Sequence, residues 1–148
     1  MKVICVISLF LFVFLFMSCE RKTVIEVEGG NPPKFRIDGS GGMLQMFVFG
    51  PYKFDEVMTQ SGNLETRLLW QIAPGGAFSQ NTLTNLPEVV YGTIPDGCKQ
   101  IFPEGSVPKE LEEGSFYTLS VPTNYAPSGF VIFQIKEGKA KKIARNKD

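Results

Sequence analysis

The residue types that usually carry catalysis are thinly represented in this chain of 148 residues. Histidine is absent, which removes the Ser-His and Cys-His pairs that activate a nucleophile and the imidazole ligands of most zinc, copper and iron sites. Carboxylate chemistry such as glycoside hydrolysis needs two acids facing each other at a set separation. Here Glu110, Glu112 and Glu113 fall in one expected turn, Asp96 in another, and Glu26 and Glu28 near the start of the folded chain, a distribution that reads as solvated surface charge. No acidic spacing matches a calcium loop. Gly39-Ser40-Gly41-Gly42 leads into a strand pattern and not into a helix start, so it reads as a turn and not as a phosphate cradle. No catalytic residue, metal ligand or cofactor is assigned.

Sulfur offers more. The chain opens Met1-Lys2, runs from Val3 to Met17 without a charge, and reaches Ser18-Cys19 before polarity switches at Glu20-Arg21-Lys22. One positive charge, an apolar stretch of about 15 residues and a small residue before the cut have the layout of a secretory signal, and the stretch falls short of the about 20 residues of a spanning helix. Leu15-Phe16-Met17-Ser18-Cys19 resembles the lipobox of bacterial lipoproteins, with Phe16 where Leu is usual. That resemblance implies cleavage before Cys19, diacylglycerol on its sulfur and an acyl group such as palmitate on the freed amine. Each buried methylene contributes about 0.8 kcal/mol, so two or three chains hold a soluble domain at a membrane. The expected organisation is a signal peptide over 1–18, a lipidated tether over 19–22, one domain over 23–144 and a basic tail over 145–148. The expected place is the cell envelope. In a Gram-negative host, Glu20, in place of the Asp associated with inner-membrane retention, favours the outer membrane.

Removing 18 of 148 residues leaves 130, enough for one domain with a real core. Basic and acidic residues number 15 each, and only Lys2 leaves with the signal, so no electrostatic footprint for nucleic acid exists. Cys5 departs with the signal and Cys19 is committed to lipid, leaving Cys98 as the one free thiol and no internal disulfide. Following the Pro95-Asp96-Gly97 turn, Cys98 reads as a small, half-buried hydrophobe at a strand start.

The elements that must position any site are strands. Short apolar runs alternate with Gly, Pro, Asn and Ser clusters, and no window sustains helical spacing over three turns. Strands are expected at 23–28, 34–38, 43–49, 64–73, 88–92, 99–102, 115–121, 130–136 and 139–144. A single helical turn is expected over Phe54 to Met58. Alternation places Phe35 and Ile37, and Leu68, Trp70 and Ile72, on core-facing sides. Glu137-Gly138 predicts a tight hairpin whose last strand is a sheet edge guarded by Lys139, Lys141 and Lys142. With Lys136, Arg145 and Lys147 these lysines also form a basic end, read as a soluble, frayed terminus that can touch an anionic surface.

Leu111-Glu112-Glu113-Gly114-Ser115-Phe116-Tyr117-Thr118-Leu119-Ser120-Val121 resembles the corner of fibronectin type III and related immunoglobulin-like sandwiches. The resemblance implies an antiparallel β-sandwich in which Leu111, Gly114 and Tyr117 are structural, the Tyr hydroxyl bonds back to the loop, and Trp70 is the core tryptophan. The fold class is therefore all-β, an immunoglobulin-like or fibronectin type III-like sandwich, expected as a monomer. Tyr52, Phe54 and Phe78 lie in or beside the two long stretches of weak strand character, where flat rings can anchor a protein partner or stack on a glycan. The expected function is a noncatalytic binding or structural module for an envelope partner. The alternatives are a glycan-binding module using those rings and, behind it, a carboxylate-dependent envelope hydrolase.

Overall fold

The computed structural model describes residues 20–59, 67–75, 86 and 88–143. Residues 1–19, over which the signal and Cys19 lipidation are expected, lie outside the described residues, as do Phe78 and the expected tail 145–148. Eleven strands and one short helix are described: β1 (Val24–Glu28), β2 (Lys34–Asp38), β3 (Gly42–Met43), β4 (Met46–Tyr52), α1 (Phe54–Thr59), β5 (Leu68–Pro74), β6 (Glu88–Val90), β7 (Cys98–Phe102), β8 (Phe116–Val121), β9 (Thr123–Asn124), β10 (Gly129–Lys136) and β11 (Lys139–Ile143). The all-β expectation holds, and the fold is an antiparallel sandwich. A three-stranded sheet, β1-β2-β6, faces a six-stranded sheet, β11-β10-β8-β4-β5-β7, and a two-stranded ribbon pairs β3 with β9.

Strand alternation decides what fills the space between the sheets. In β2, Phe35 and Ile37 point inward while Lys34, Arg36 and Asp38 are exposed. From the facing sheet come Met46 and Val48, Trp70 and Ile72, Tyr117, Leu119 and Val121, and Val131, Phe133 and Ile135. The aromatic residues meet edge to face or offset, as their quadrupoles favour: Phe35 against Phe133 at 5.5 Å, Tyr117 against Phe133 at 5.5 Å, and Trp70 against Tyr91 at 5.4 Å. Trp70 is fully buried and its Nε1 donates to Gln100 Oε1 at 3.0 Å. Cys98 starts β7 and packs half-buried against this core, which pushes its thiol pKa up.

At the corner before β8, Leu111 is buried and Gly114 takes a φ of +80°. The Glu112 N–H donates to the Tyr117 hydroxyl at 2.7 Å, the loop-to-ring bond that the fibronectin type III resemblance implies. Gly50 is the other glycine that geometry demands. Its φ is +144°, and an added Cβ would lie 2.5 Å from Cδ1 of Tyr117.

The hairpin between β10 and β11 forms with Lys136 opposite Lys139 and positive φ at both Glu137 and Gly138. The Glu113 carboxylate clamps the turn by accepting from the N–H groups of Glu137 and Gly138. β11 is a sheet edge, as expected, but β1 lies alongside it. Ala140 N–H donates to the Gly29 carbonyl at 3.2 Å, and Lys142 Nζ to the Ile25 carbonyl at 2.9 Å.

Candidate functional site

The six-stranded sheet has a second face, turned away from the sandwich core, and its side chains follow from register. One row across the strands reads Phe130 (β10), Ser120 (β8), Phe47 (β4) and Gln71 (β5); the next reads Ile132, Thr118, Phe49 and Leu68. Large apolar groups on β4 and β10 thus flank small hydroxyl residues on β8. The result is a groove of about 550 Å³ floored by Thr118 and Ser120, walled by Phe47, Phe49, Leu68 and Phe130, and bounded by Pro122. Alternation predicts Leu68 on the core side with Trp70 and Ile72; instead the register shift between Val48 and Phe49 leaves Leu68 on the outer face, and Leu69 packs against the core. Phe47 and Phe49, two residues apart on one strand, stack at 5.7 Å with 20° between their planes. Phe130 is about half-exposed. Gln71 Nε2 donates to Gln45 Oε1 at 3.0 Å on the polar margin.

Beyond Phe49 the same face is covered. Register shifts in β4 between Val48 and Phe49 and between Phe49 and Tyr52 mark an irregularity at Gly50-Pro51. Simple alternation from Met46 and Val48 would send Tyr52 into the main core. Instead it joins Val57 and Ile132 in a separate outer cluster, with Phe49, Phe116 and Ile143 packed against it. Helix α1 lies on this cluster. The Lys53 N–H donates to Glu56 Oε2 at 2.7 Å, half of a capping box, and Val57 N–H donates to the Lys53 carbonyl. Arg67 holds the same helix from the side, pairing with Glu56 Oε1 at 2.8 Å and donating to the Pro51 carbonyl at 2.8 Å, with its guanidinium 5.1 Å from the centre of the Tyr52 ring. Burial pushes the Tyr52 hydroxyl pKa up to about 12, and hydrogen bonding to Arg67 holds the Glu56 carboxyl below its ordinary range.

The rings singled out from the sequence are therefore divided. Tyr52 is buried beneath α1, Phe54 is 56% exposed and leans on Phe116 at 5.5 Å, and Phe78 falls outside the described residues. Nothing in the sequence alone marks Phe47, Phe49 and Phe130, because each lies inside a strand whose two faces are both apolar. A clue was present in β8, whose outward set, Phe116, Thr118 and Ser120, alternates with the apolar Tyr117, Leu119 and Val121.

A second cleft, of about 330 Å³, opens at the end of the sandwich between Asn31, Tyr91, Thr93, Pro108 and Leu111. Its polar groups serve the loops: Tyr91 Oη donates to the Lys109 carbonyl at 2.8 Å and Asn31 Nδ2 to the Leu111 carbonyl at 2.7 Å. Among the described residues no group of three or more His, Cys, Asp or Glu side chains is placed to hold a metal, and no helix is long and apolar enough to cross a membrane. Set against protein-family models, curated proteins and solved structures, the chain matches none.

Proposed function

We propose that this protein is a lipid-anchored module of the cell envelope that acts without catalysis, binding a protein partner through the outer groove of its six-stranded sheet. One observation carries the reading: Phe47, Phe49 and Phe130 stand around a floor of small hydroxyl residues with no element of the described chain laid over them. Apolar side chains in a concave, uncovered patch gain most by burying a partner's apolar groups, and balanced charge leaves no long-range field to select an ionic ligand. Among the described residues the groove lining contains no acid, whereas a carboxylate hydrolase needs a facing pair. The anchor rests on the Leu15-to-Cys19 lipobox resemblance, and the fibronectin type III-like assignment on the Tyr117–Glu112 bond together with the two-sheet architecture.

A second reading has its own support. The near-parallel Phe47 and Phe49 rings, with Ser120 and Gln71 beside them, are suited to stacking on a sugar face.

Benzophenone-bearing residues placed singly at positions 47 and 130, irradiated in intact envelopes, test the site. Discrete protein adducts are expected from both, with none from positions 26 and 36 on the outer face of the three-stranded sheet. Equal labelling from both faces defeats the proposal. Adducts that vanish when cell-wall glycan is digested favour the sugar reading.

A further inference from the structure

The chain enters the domain at one end of the sandwich, and it is fastened there at once. Arg21 N–H donates to Ser40 Oγ at 2.8 Å, Ser40 Oγ donates back to the Arg21 carbonyl at 3.2 Å, and Thr23 N–H donates to the Pro127 carbonyl at 3.3 Å. Only two residue steps separate Arg21 from Cys19, a reach of roughly 7 Å at full extension. A lipid on Cys19 therefore cannot act as a long leash. It must hold this end of the sandwich against the headgroup layer.

The surface at that end suits such contact. The β3–β9 ribbon pairs Gly42 with Asn124 and Met43 with Thr123, and Leu44 N–H donates to the Pro122 carbonyl. The ribbon thereby presents Leu44, half-exposed, and Tyr125, 85% exposed, beside the Arg21–Ser40 fastening. Phe130 follows on the neighbouring strand, one position past the Gly129–Val121 pair. An amphipathic tyrosine ring with aliphatic neighbours is the residue set of a membrane interface. Lys22 is exposed alongside, and β11 runs toward this end carrying the exposed Lys141 and Lys142. These charges suit anionic lipid.

We propose that the Leu44–Tyr125 end of the sandwich docks on the bilayer interface, Tyr125 entering the headgroup layer, so that the lipid and the protein surface together fix the orientation of the domain. The proposal rests on the anchoring reading above. In this orientation the six-stranded sheet stands upright on the membrane, with the Phe47–Phe130 groove opening sideways near its base.

The test uses the full protein purified from membranes and reconstituted in vesicles of phosphatidylethanolamine and phosphatidylglycerol carrying brominated acyl chains, with intact mass reporting on Cys19. Trp70 is the only native tryptophan and is fully buried, so its emission is insensitive to the vesicle. In Tyr125→Trp the added emission is expected to fall at least twofold with brominated lipid. In Val107→Trp, equally exposed at 83% but beside the cleft at the opposite end, it is expected to stay unchanged. An acylated protein in which the Tyr125→Trp indole is unquenched, or in which both indoles are quenched alike, overturns the docking proposal alone. A chain without acyl groups on Cys19 overturns the anchoring reading, and the docking proposal with it.

Discussion

The outer face of the six-stranded sheet is built in two halves from similar materials. Under α1, the phenylalanine, isoleucine and tyrosine side chains of β4, β8 and β10 are sealed by Val57 and held by the Glu56–Arg67 pair. Toward β9, Phe47 and Phe130 meet no covering element of the described chain, and Phe49 stands at the boundary, packed against the covered cluster on one side and lining the groove on the other. A helix of six residues is too short to be stable alone. It persists where the sheet offers an apolar seat and a guanidinium to tie it. Apolar surface that is covered at one end and, among the described residues, bare at the other points to use and not to neglect.

Substitutions can break or sharpen that contrast. The largest expected effect is from Tyr52→Ala, which removes a buried ring from beneath α1 and leaves Arg67 without its aromatic partner. A loss of about 3 kcal/mol is expected, read as a lower urea midpoint with an unchanged slope. Val57→Ala, fully buried on the same helix, should cost about 2 kcal/mol and leave photo-adducts from the groove intact. Thr23 reverses the sign, since its Oγ1 is buried without a hydrogen-bond partner among the described residues. Thr23→Val is expected to raise stability by about 1 kcal/mol in the same denaturation assay. Smaller still should be Phe130→Ser on the bare half, where the midpoint stays within about 0.5 kcal/mol of the parent while adducts from position 47 disappear.

The helix-covered half should also respond to acid in a defined direction. Hydrogen bonding to Arg67 lowers the Glu56 pKa from 4.5, so its contribution to stability is fully present above that value and fades as pH falls through the lower folded-state value. Arg67 is exposed and Glu56 is about a third exposed, and solvent screening of such a surface pair keeps the effect small. Urea midpoints measured across this range for the parent and for Arg67→Met should converge at the acid end. Parallel curves throughout would show that the pair does not anchor α1.

Much of this architecture was legible where one local signal sufficed. Lys34-Phe35-Arg36-Ile37-Asp38 alternates cleanly and is the strand β2, residue for residue. Glu137-Gly138 supplied the two positive-φ positions of a hairpin, and the single helical turn expected from Phe54 is α1. Features that depend on partners far away in sequence were not legible. The β3–β9 ribbon joins two-residue pieces from opposite halves of the chain, so the one strand expected over 43–49 divides at Leu44-Gln45. Of the strand expected over 64–73, residues 64–66 lie outside the described residues, and β5 runs from Leu68 to Pro74. Tyr52 lies beneath α1 because of an irregularity at Gly50-Pro51 that no periodicity reveals. The groove was hidden for the same reason. Met46, Phe47, Val48 and Phe49 are all apolar, and only the pairing of β4 with β5 and β8 determines which of them face outward.

Filling the groove without removing any of its rings tests the central claim most directly. Ser120 lies between Phe47 and Phe130 in the cross-strand row, so Ser120→Phe should occupy the floor while leaving the sandwich core untouched. The expected result is a protein that unfolds at the parent's urea midpoint, retains its lipid, and yields no photo-adduct from position 130 in intact envelopes. A folded Ser120→Phe protein that still gives the adduct at the parent's yield would contradict the assignment of this groove as the binding surface.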